Sequence, residues 1–583
     1  MSAPNRNTLW GRTLVGELAA AGLDAAVVAP GSRSTPLAVA LADADIEVFS
    51  HLDERSAAFF ALGRGRRTGR PTAAVCTSGT AAAEFHPAVV EADRARVPLL
   101  LVTADRPPEL WDSGANQTVD QEGLYGDATR WDRTLPEPEP TARKLRGLRT
   151  TAARAVAAAT GTPPGPVHLN VPFRKPLEPT PVEGDVPDDL AERRPRAGGE
   201  RDPPYVRVTR GAPAPDAAEL DALADSIRAA ERGLVVCGPA DDATPSPDAL
   251  RALADATGFP VLADPLSGAR FGGHVADLPV LGGYDGYIDA VAEDLPAPEV
   301  VVRFGASPTS KALRRYLADA DPRQLLVDPA GGWREATYTA SDLLVAAPDA
   351  VARGVADRLD RAAGEWADRL HRVEERYWEL LDGDLDDIAL EGSVLAAVAA
   401  GAPDPATLVV SNSMPVRDLD RFGRPREAAL TVLGNRGASG IDGVTSTALG
   451  AGSAVDEPLV CVLGDLAFYH DMNGLLAVER CGVDATVVLV NNDGGGIFHK
   501  LPIESFDPPF TELFKTPHGL DFTPVADLYG LEFVRAEGMA EFRAAYGESL
   551  ASGGTQVIEV CTDAEHSHRR REALAERVRD ALP

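Results

Sequence analysis

The sequence predicts an α/β protein of parallel sheets flanked by helices. Apolar runs of strand length alternate with Ala-rich helical stretches along the whole chain, which is the pattern of βα units. At 583 residues the chain has the length of three or four domains, each able to bury its own core. The two outer thirds also share a faint repeat of strand, Gly turn, helix, strand and loop, once over residues 73–103 and again over 459–491. One α/β fold used twice would produce it, although any two βαβ units look this similar.

Along the chain, strands are expected at 25–29, 46–49, 73–77 and 99–103, then at 234–237 and 300–304, and finally at 408–410, 459–463, 486–490 and 557–560. Residues 181–216 are rich in Pro, Gly and charge with little periodicity, and read as a linker. A second boundary lies at 349–390, where Trp366, Leu370, Val373, Tyr377 and Leu381 recur at three- and four-residue spacing. That spacing is a helix packed against a neighbouring domain. The resulting division is 1–180, linker 181–216, 217–348, connecting helix 349–390 and 391–583.

Net charge is −31, which repels nucleic-acid phosphate and anionic membrane and argues against both as partners. No apolar run approaches the 18 residues of a membrane span, and the N-terminus lacks the basic and apolar regions of a signal peptide. Cytoplasmic location is therefore expected. Lysine occurs only at 144, 175, 311, 500 and 515 among 57 cationic side chains. Excess Asp and Glu with scarce Lys is the surface of a protein adapted to concentrated salt, where a short Debye length mutes self-repulsion. A GC-rich genome accounts for the Arg but not for the acidity. The five cysteines, at 76, 237, 461, 481 and 561, show no CxxC spacing; buried thiols in a reducing compartment are expected rather than disulfides or a zinc site.

Two short motifs carry the clearest chemistry. Gly464-Asp465 ends the apolar run 459–463, and Asn491-Asn492 ends the run 486–490. A carboxylate and an amide oxygen are hard ligands, and Mg²⁺ takes one or two such protein groups together with phosphate oxygens. Asp493-Gly494-Gly495-Gly496 follows, and glycines let backbone approach a phosphate or metal closely. An ordinary βα loop is the alternative. Upstream, Glu54 lies in His51-Leu52-Asp53-Glu54-Arg55, where a lone Glu would ordinarily be a helix cap or surface charge. Its company is Pro30-Gly31-Ser32-Arg33-Ser34-Thr35-Pro36, Thr77-Ser78-Gly79-Thr80, Ala104-Asp105-Arg106-Pro107-Pro108 and Gly114-Ala115-Asn116-Gln117. The last third adds Ser411-Asn412-Ser413-Met414-Pro415-Val416-Arg417 and Asn435-Arg436-Gly437-Ala438-Ser439-Gly440-Ile441-Asp442-Gly443.

This ordered set resembles the MenD family of thiamine-diphosphate enzymes from about residue 8 to the C-terminus, most weakly over 180–300. The resemblance implies an N-terminal domain for the aminopyrimidine, a central domain, and a C-terminal domain for the diphosphate and Mg²⁺, with Mn²⁺ as an alternative ion. It implies a homodimer at minimum, with tetramers common, because the cofactor of such enzymes lies between domains of two subunits. The implied activity is that of a transferase: decarboxylation of 2-oxoglutarate and conjugate addition of the succinyl carbanion to isochorismate, in menaquinone biosynthesis.

Roles carry over residue by residue. Glu54 would hydrogen-bond the pyrimidine N1′. Asp465, Asn492 and the carbonyl of Gly494 would hold the metal, and Ile441 would wedge the cofactor into a bent form. Pro30, Thr80, Asn116, Ser413, Gly464, Leu466, Ile497 and Phe498 would line the cofactor. Ser32, Arg33 and Arg106 would face isochorismate; Ser413, Arg417 and Arg436 would face the succinyl carboxylate; Asn116, Gln117, Ile497 and Phe498 would surround the reacting centre. Arg suits dianions because its planar fork binds carboxylate bidentately. Lys311 matches the first of two cations some members use for isochorismate, but Ala312 stands where they have Arg, with Arg314 or Arg315 as substitutes. Leu466 departs from the Gly-Asp-Gly of many superfamily members. Two other readings are an acetolactate-type carboligase or 2-oxo acid decarboxylase, which would not need so many anion-binding arginines, and a catalytically silent cofactor-binding protein, which would have lost Glu54 or Asp465.

Overall fold

The computed structural model describes residues 3–198, 203–240, 244–361 and 364–582. Residues 199–202 of the expected linker lie outside them. Three six-stranded sheets, all parallel, carry the fold. The first contains β1 (Ala25–Val28), β2 (Glu47–Ser50), β3 (Thr72–Cys76), β4 (Leu99–Asp105), β5 (Trp131–Thr134) and β6 (Pro166–Pro172), in the order β2-β1-β3-β4-β6-β5. The second contains β7 (Gly233–Cys237), β8 (Val261–Ala263), β9 (Val280–Leu281), β10 (Val300–Phe304), β11 (Arg323–Val327) and β12 (Asp342–Leu344), in the order β12-β11-β10-β7-β8-β9. The third contains β13 (Ala406–Val410), β14 (Leu430–Leu433), β15 (Leu459–Gly464), β16 (Thr486–Asn491), β17 (Glu532–Ala536) and β18 (Gln556–Cys561), in the order β14-β13-β15-β16-β18-β17. The predicted α/β class with mainly parallel sheets is observed. The outer two sheets have the same strand order, the topological counterpart of the faint repeat.

Parallel strands buried on both faces are mostly apolar, and the central strands follow this, although β4, β6 and β10 also bury Thr103, Asp105, His168, Asn170 and Arg303. Every residue of β3, β4, β6, β7, β10 and β13 is buried. Cys76 in β3, Cys237 in β7 and Cys461 in β15 are buried, and all five cysteines are free thiols.

The chain divides into two compact units, 1–210 with 435–456 and 471–483, and 211–434 with 457–470 and 484–583. In the first unit, helices Arg6–Ala20 and Ala142–Ala159 cover the first sheet through Trp10, Leu14, Leu145 and Leu148, each side chain worth roughly 1.5–3 kcal/mol of burial. Residues 182–198 also fold onto this unit: the Val182 amide donates to the Pro4 carbonyl, and Arg149 donates to the Ala197 carbonyl at 3.0 Å.

Helix Glu54–Thr68 packs on helix Val444–Gly452, contributed by the last third of the chain. Gly63 and Gly450 make this possible, because a Cβ on either would collide with backbone of the other helix.

In the second unit, helix Glu365–Leu381 buries Leu370, Val373, Tyr377 and Leu381, the predicted stripe, in a cluster with Tyr284, Tyr287 and Ile288 of helix Tyr284–Val291. Trp366 is only partly buried and donates its indole N–H to the Pro296 carbonyl at 2.8 Å. No helix among the described residues is long and apolar enough to cross a membrane.

Candidate active site

Parallel α/β sheets bind ligands beyond the carboxyl ends of their strands, beside the point where strand order reverses. In the first sheet that point lies between β1 and β3. Pro30, Ser32 and Arg33 follow β1, Glu54 follows β2, Thr80 follows β3 and Arg106 follows β4. The loops are tied to one another. A Cβ on Gly31 would collide with Thr77. Ser78 Oγ donates to the Gln117 carbonyl at 2.9 Å, and Gln117 Nε2 donates back to the Ser78 carbonyl at 3.0 Å. Gly79 holds φ +92° with room for no Cβ against Gln117, 2.9 Å away. Arg106 Nη2 donates to the Asn116 carbonyl at 2.9 Å. Predicted residues from four motifs thus share one strand-end surface.

Two arginines, Arg33 and Arg106, flank Asp105 here. Arg33 is buried and donates through Nη1 to the Phe173 carbonyl at 2.7 Å. Burial and then repulsion from Arg106 lower its pKa, opposed by Asp105. Burial pushes the Asp105 carboxyl up, opposed by the Asn170 amide, the Arg106 backbone N–H and both arginines. Arg33 and Arg106 thus stand as two cations next to one carboxylate of raised pKa. A cleft of about 600 Å³ opens beside Asp105, lined also by Trp111, Gln121 and the acidic side chains of Asp112, Asp120 and Glu122, within the size range of small-molecule sites; any anion here is received by the arginines and not by the cleft wall. Glu54 is the first residue of its helix, capped by Asp53, whose side chain accepts from the Ser56 amide at 3.2 Å. Burial first, then Asp53 and Glu84, raise the Glu54 pKa.

Arg436 and Ile441 lie in the loop 435–443, which belongs to this same unit. Arg55 Nη1 donates to the Asp442 carbonyl, so the neighbour of Glu54 holds the neighbour of Ile441. Asp471 is fully buried. It accepts from the Ser446 amide at 2.7 Å and hydroxyl at 2.9 Å, and pairs with Arg55 at 3.3 Å. Burial pushes its carboxyl from 3.8 up to about 7, against the Ser446 amide and Arg55. A folded pKa above the unfolded one means the folded state holds the extra proton. The contribution to stability is therefore full below about pH 4 and lost as pH rises through about 7. By this sign, the unfolding free energy read from urea curves of the wild-type protein falls between pH 4 and 8, with this group contributing on the order of 4 kcal/mol at most. Asp471→Asn should flatten the curve over that window, and identical curves would refute the assignment.

The second unit holds the other predicted residues. β15 and β16 are paired neighbours, with Gly464 opposite Val490, so Asp465 and Asn492 emerge side by side. Asp465 Oδ2 accepts from the Gly494 amide at 2.9 Å and the Asn492 amide at 3.2 Å, and Oδ1 accepts from the Leu466 amide at 2.7 Å. His518 Nε2 stands 3.2 Å from Oδ2. Burial raises the Asp465 pKa, and these amides and His518 oppose it. Asp493 and Gly494 both take positive φ, +57° and +131°, and a Cβ on Gly494 would strike the Lys515 carbonyl, so this turn admits only glycine there. Ile497 and Phe498 follow in the turn Gly496–Lys500. Ser413 follows β13 with φ +68°, and Arg417 donates to its carbonyl. Lys311 opens the exposed start of helix Lys311–Ala320 behind β10. Of its neighbours, Arg315 is committed to Asp289, and Arg314 Nε donates to the Ser310 carbonyl at 3.4 Å.

The donor set suits a hard cation. Asn492 Nδ2 donates to Glu391 Oε1 at 2.8 Å, which leaves its Oδ1 buried with no hydrogen-bond donor. An orphaned buried oxygen costs about 1–3 kcal/mol unless something fills its lone pair, and an ion beside the Asp465 carboxylate would. No group of three or more His, Cys, Asp or Glu among the described residues offers a metal cage, as expected for a site made of one carboxylate, one amide and backbone carbonyl. Sequence reasoning missed His518, Glu391, Asp471 and Glu91. None lies in a motif, and each is recognised only by what it touches.

The N-terminal thiamine pyrophosphate binding domain of thiamine pyrophosphate enzymes matches residues 10–124, the middle domain 200–410, and the C-terminal thiamine pyrophosphate binding domain 418–560. The class is therefore that of thiamine-pyrophosphate enzymes. A solved 4-hydroxybenzoylformate decarboxylase of Rhodococcus jostii shares the fold, with TM-score 0.70 at 18% identity over 95% of this chain and 99% of that one. Relatives from Halobacterium salinarum (63% identical over 99% of both chains), Natronomonas pharaonis (62% over 100% of both) and Roseiflexus castenholzii (49% over 99% of both) are all 2-succinyl-5-enolpyruvyl-6-hydroxy-3-cyclohexene-1-carboxylate synthases. The chain belongs to that synthase family.

Proposed function

We propose that the chain catalyses the thiamine-diphosphate-dependent decarboxylation of 2-oxoglutarate and addition of the succinyl unit to isochorismate, a step of menaquinone biosynthesis. The observation that carries this reading is similarity of about 60% over the full chain to synthases of that name. Bound thiamine diphosphate supplies a carbon nucleophile for the keto carbon and an electron sink for loss of CO₂.

The chain supplies orientation and charge. Glu54, with its raised pKa, holds a proton at the pyrimidine N1′. Asp465, Asn492 and the Gly494 carbonyl hold Mg²⁺ or Mn²⁺ against the diphosphate, the orphaned Asn492 oxygen being the supporting feature. Arg33 and Arg106, with Ser32, receive isochorismate; Ser413, Arg417 and Arg436 receive the distal carboxylate of 2-oxoglutarate. Asn116, Gln117, Ile497 and Phe498 close the reacting centre against water. Lys311 adds a cation for isochorismate, and since Arg314 and Arg315 already have partners, it acts there without the second cation of some relatives. In this proposal the enzyme has three domains, at 1–180, 217–348 and 391–583, is at least a homodimer and works in the cytoplasm.

The test is an assay at molar KCl with thiamine diphosphate, Mg²⁺ and 2-oxoglutarate, with and without isochorismate. A succinylated ring formed only with both substrates is the expected result; turnover of pyruvate alone would overturn the reading in favour of a simpler carboligase. Salt is part of the prediction. With net charge −31, dilution from molar salt to about 0.1 M lengthens the Debye length from about 3 to about 10 Å. Activity and circular-dichroism signal should therefore fall together on dilution. Retention of both in dilute buffer would remove the salt-adapted reading of the surface.

A further inference from the structure

We propose that Glu91 is a positioning residue, a buried clamp that sets the loop 435–443 and through it Arg436 and Ile441. The inference rests on the assignment of those two residues to substrate and cofactor. Glu91 sits in the middle of helix His86–Ala95 and is 2% exposed. A carboxylate is almost never buried so fully unless it is paired. Its partners are specific. Oε1 accepts from the Gly437 amide at 2.8 Å and from Arg66 Nη2 at 3.0 Å. Oε2 accepts from the Ala438 amide at 2.6 Å and the Ser439 amide at 3.3 Å.

Three consecutive backbone N–H groups converging on one anion form a nest, and charge-assisted hydrogen bonds of this kind are about twice as strong as neutral ones. Arg436 directly precedes the nest and Ile441 follows it by two residues. Arg66 ties the near end of the loop as well, donating through Nη1 to Asn435 Oδ1 at 2.8 Å, and Asn435 donates to Thr447 Oγ1 at 3.0 Å. The seat is close. A Cβ on Gly437 would stand 2.6 Å from the Ala95 nitrogen and the Glu91 carbonyl. Helix, carboxylate and glycine together hold the loop at one height on the helix.

Glu91→Gln keeps the shape but turns an acceptor into an NH₂ group facing N–H donors, and removes the counter-charge of Arg66. Its loop should come loose. In molar KCl, amide hydrogen exchange of the peptide spanning 435–443 should speed up roughly tenfold or more. The KM for 2-oxoglutarate should rise roughly tenfold, as should the dissociation constant of thiamine diphosphate measured calorimetrically with Mg²⁺. The KM for isochorismate should hold. A residue with only a structural role would instead lower kcat in proportion to folded protein and leave both constants alone; that outcome overturns the proposal, as does unchanged exchange in the loop.

Gly437→Ala keeps Glu91 and lifts the loop sterically, so it should reproduce the same pattern if Glu91→Gln fails to fold; wild-type constants in that variant would overturn the proposal too. Arg436→Gln in the same assay separates the two layers of argument. If its KM for 2-oxoglutarate is that of wild type, the role given to Arg436 is wrong, and the clamp then stands or falls on loop exchange and thiamine-diphosphate affinity.

Discussion

Glu54→Gln is expected to lower kcat by about 10²–10⁴-fold, the usual contribution of a positioned proton-transfer group, while the thermal midpoint and the thiamine-diphosphate affinity change little. The side chain is isosteric and Asp53 remains as the helix cap, so the local fold has no reason to move. What changes is the proton. Burial, Asp53 and Glu84 raise the Glu54 pKa. A helix N-terminus ordinarily favours the carboxylate form; the environment here outweighs that preference, as suits a group that must share a hydrogen with a ring nitrogen. A glutamine can occupy the position but cannot exchange that hydrogen. Deuterium exchange at the thiazolium C2 of bound cofactor, followed by NMR, should slow in step with kcat. Activity within tenfold of wild type would sink the role assigned to Glu54.

Much of this molecule was legible before any coordinates. Many central strands were visible as apolar runs: residues 300–304 were expected as a strand and β10 spans Val300–Phe304. The interior strands β6, β8 and β11 were not expected, and β6 alternates His168 and Asn170 with apolar residues. Edge strands were less visible. β5 is Trp-Asp-Arg-Thr and β17 is largely exposed, and a half-solvated edge carries no apolar run. The proximity of Asp465 and Asn492, proposed to hold a metal, was legible as two dipeptides at strand ends, because parallel pairing of β15 with β16 places residues 27 positions apart beside each other. The supporting acids were not. Glu91 and Asp471 are single acidic residues in or beside helices, and in a chain with 88 Asp and Glu nothing local separates a buried clamp from a solvated surface charge. Their meaning comes from long-range contacts, Glu91 with 437–439 and Asp471 with 446 and 55, which no window of sequence contains. The attachment of residues 435–456 to the N-terminal unit is of the same kind. It depends on the missing Cβ atoms of Gly63 and Gly450, which read in sequence as ordinary helix glycines.

Asp465→Asn carries the other large effect, on cofactor binding rather than on turnover of bound enzyme. The carboxylate has two tasks: it accepts the Asn492 and Gly494 amides that shape the turn after β16, together with the Leu466 amide behind β15, and it is the only anion assigned to the metal. An asparagine oxygen can serve some of those amides, but its NH₂ must then face an N–H donor, leaving a buried polar group unpaired at a cost of about 1–3 kcal/mol. The charge is lost entirely. Changes to the outer shell of metal sites alone cost about 10–100-fold in affinity, so removing a charged ligand should cost at least about 100-fold. Ligand-linked stability makes this measurable without turnover. At a cofactor concentration 100 times the wild-type dissociation constant, Mg²⁺ with thiamine diphosphate should stabilise the wild-type protein by about 2.7 kcal/mol, and the variant by only about 0.4 kcal/mol. Denaturant midpoints in molar KCl, with and without the pair, read both numbers directly. Equal gains in the two proteins would show that the metal and diphosphate are held elsewhere, and the orphaned oxygen of Asn492 would then need a different partner. Asn492→Ala separates the two tasks, because the turn-forming amides keep their acceptor while the second oxygen ligand is gone. Its gain should fall between those of the wild-type protein and Asp465→Asn.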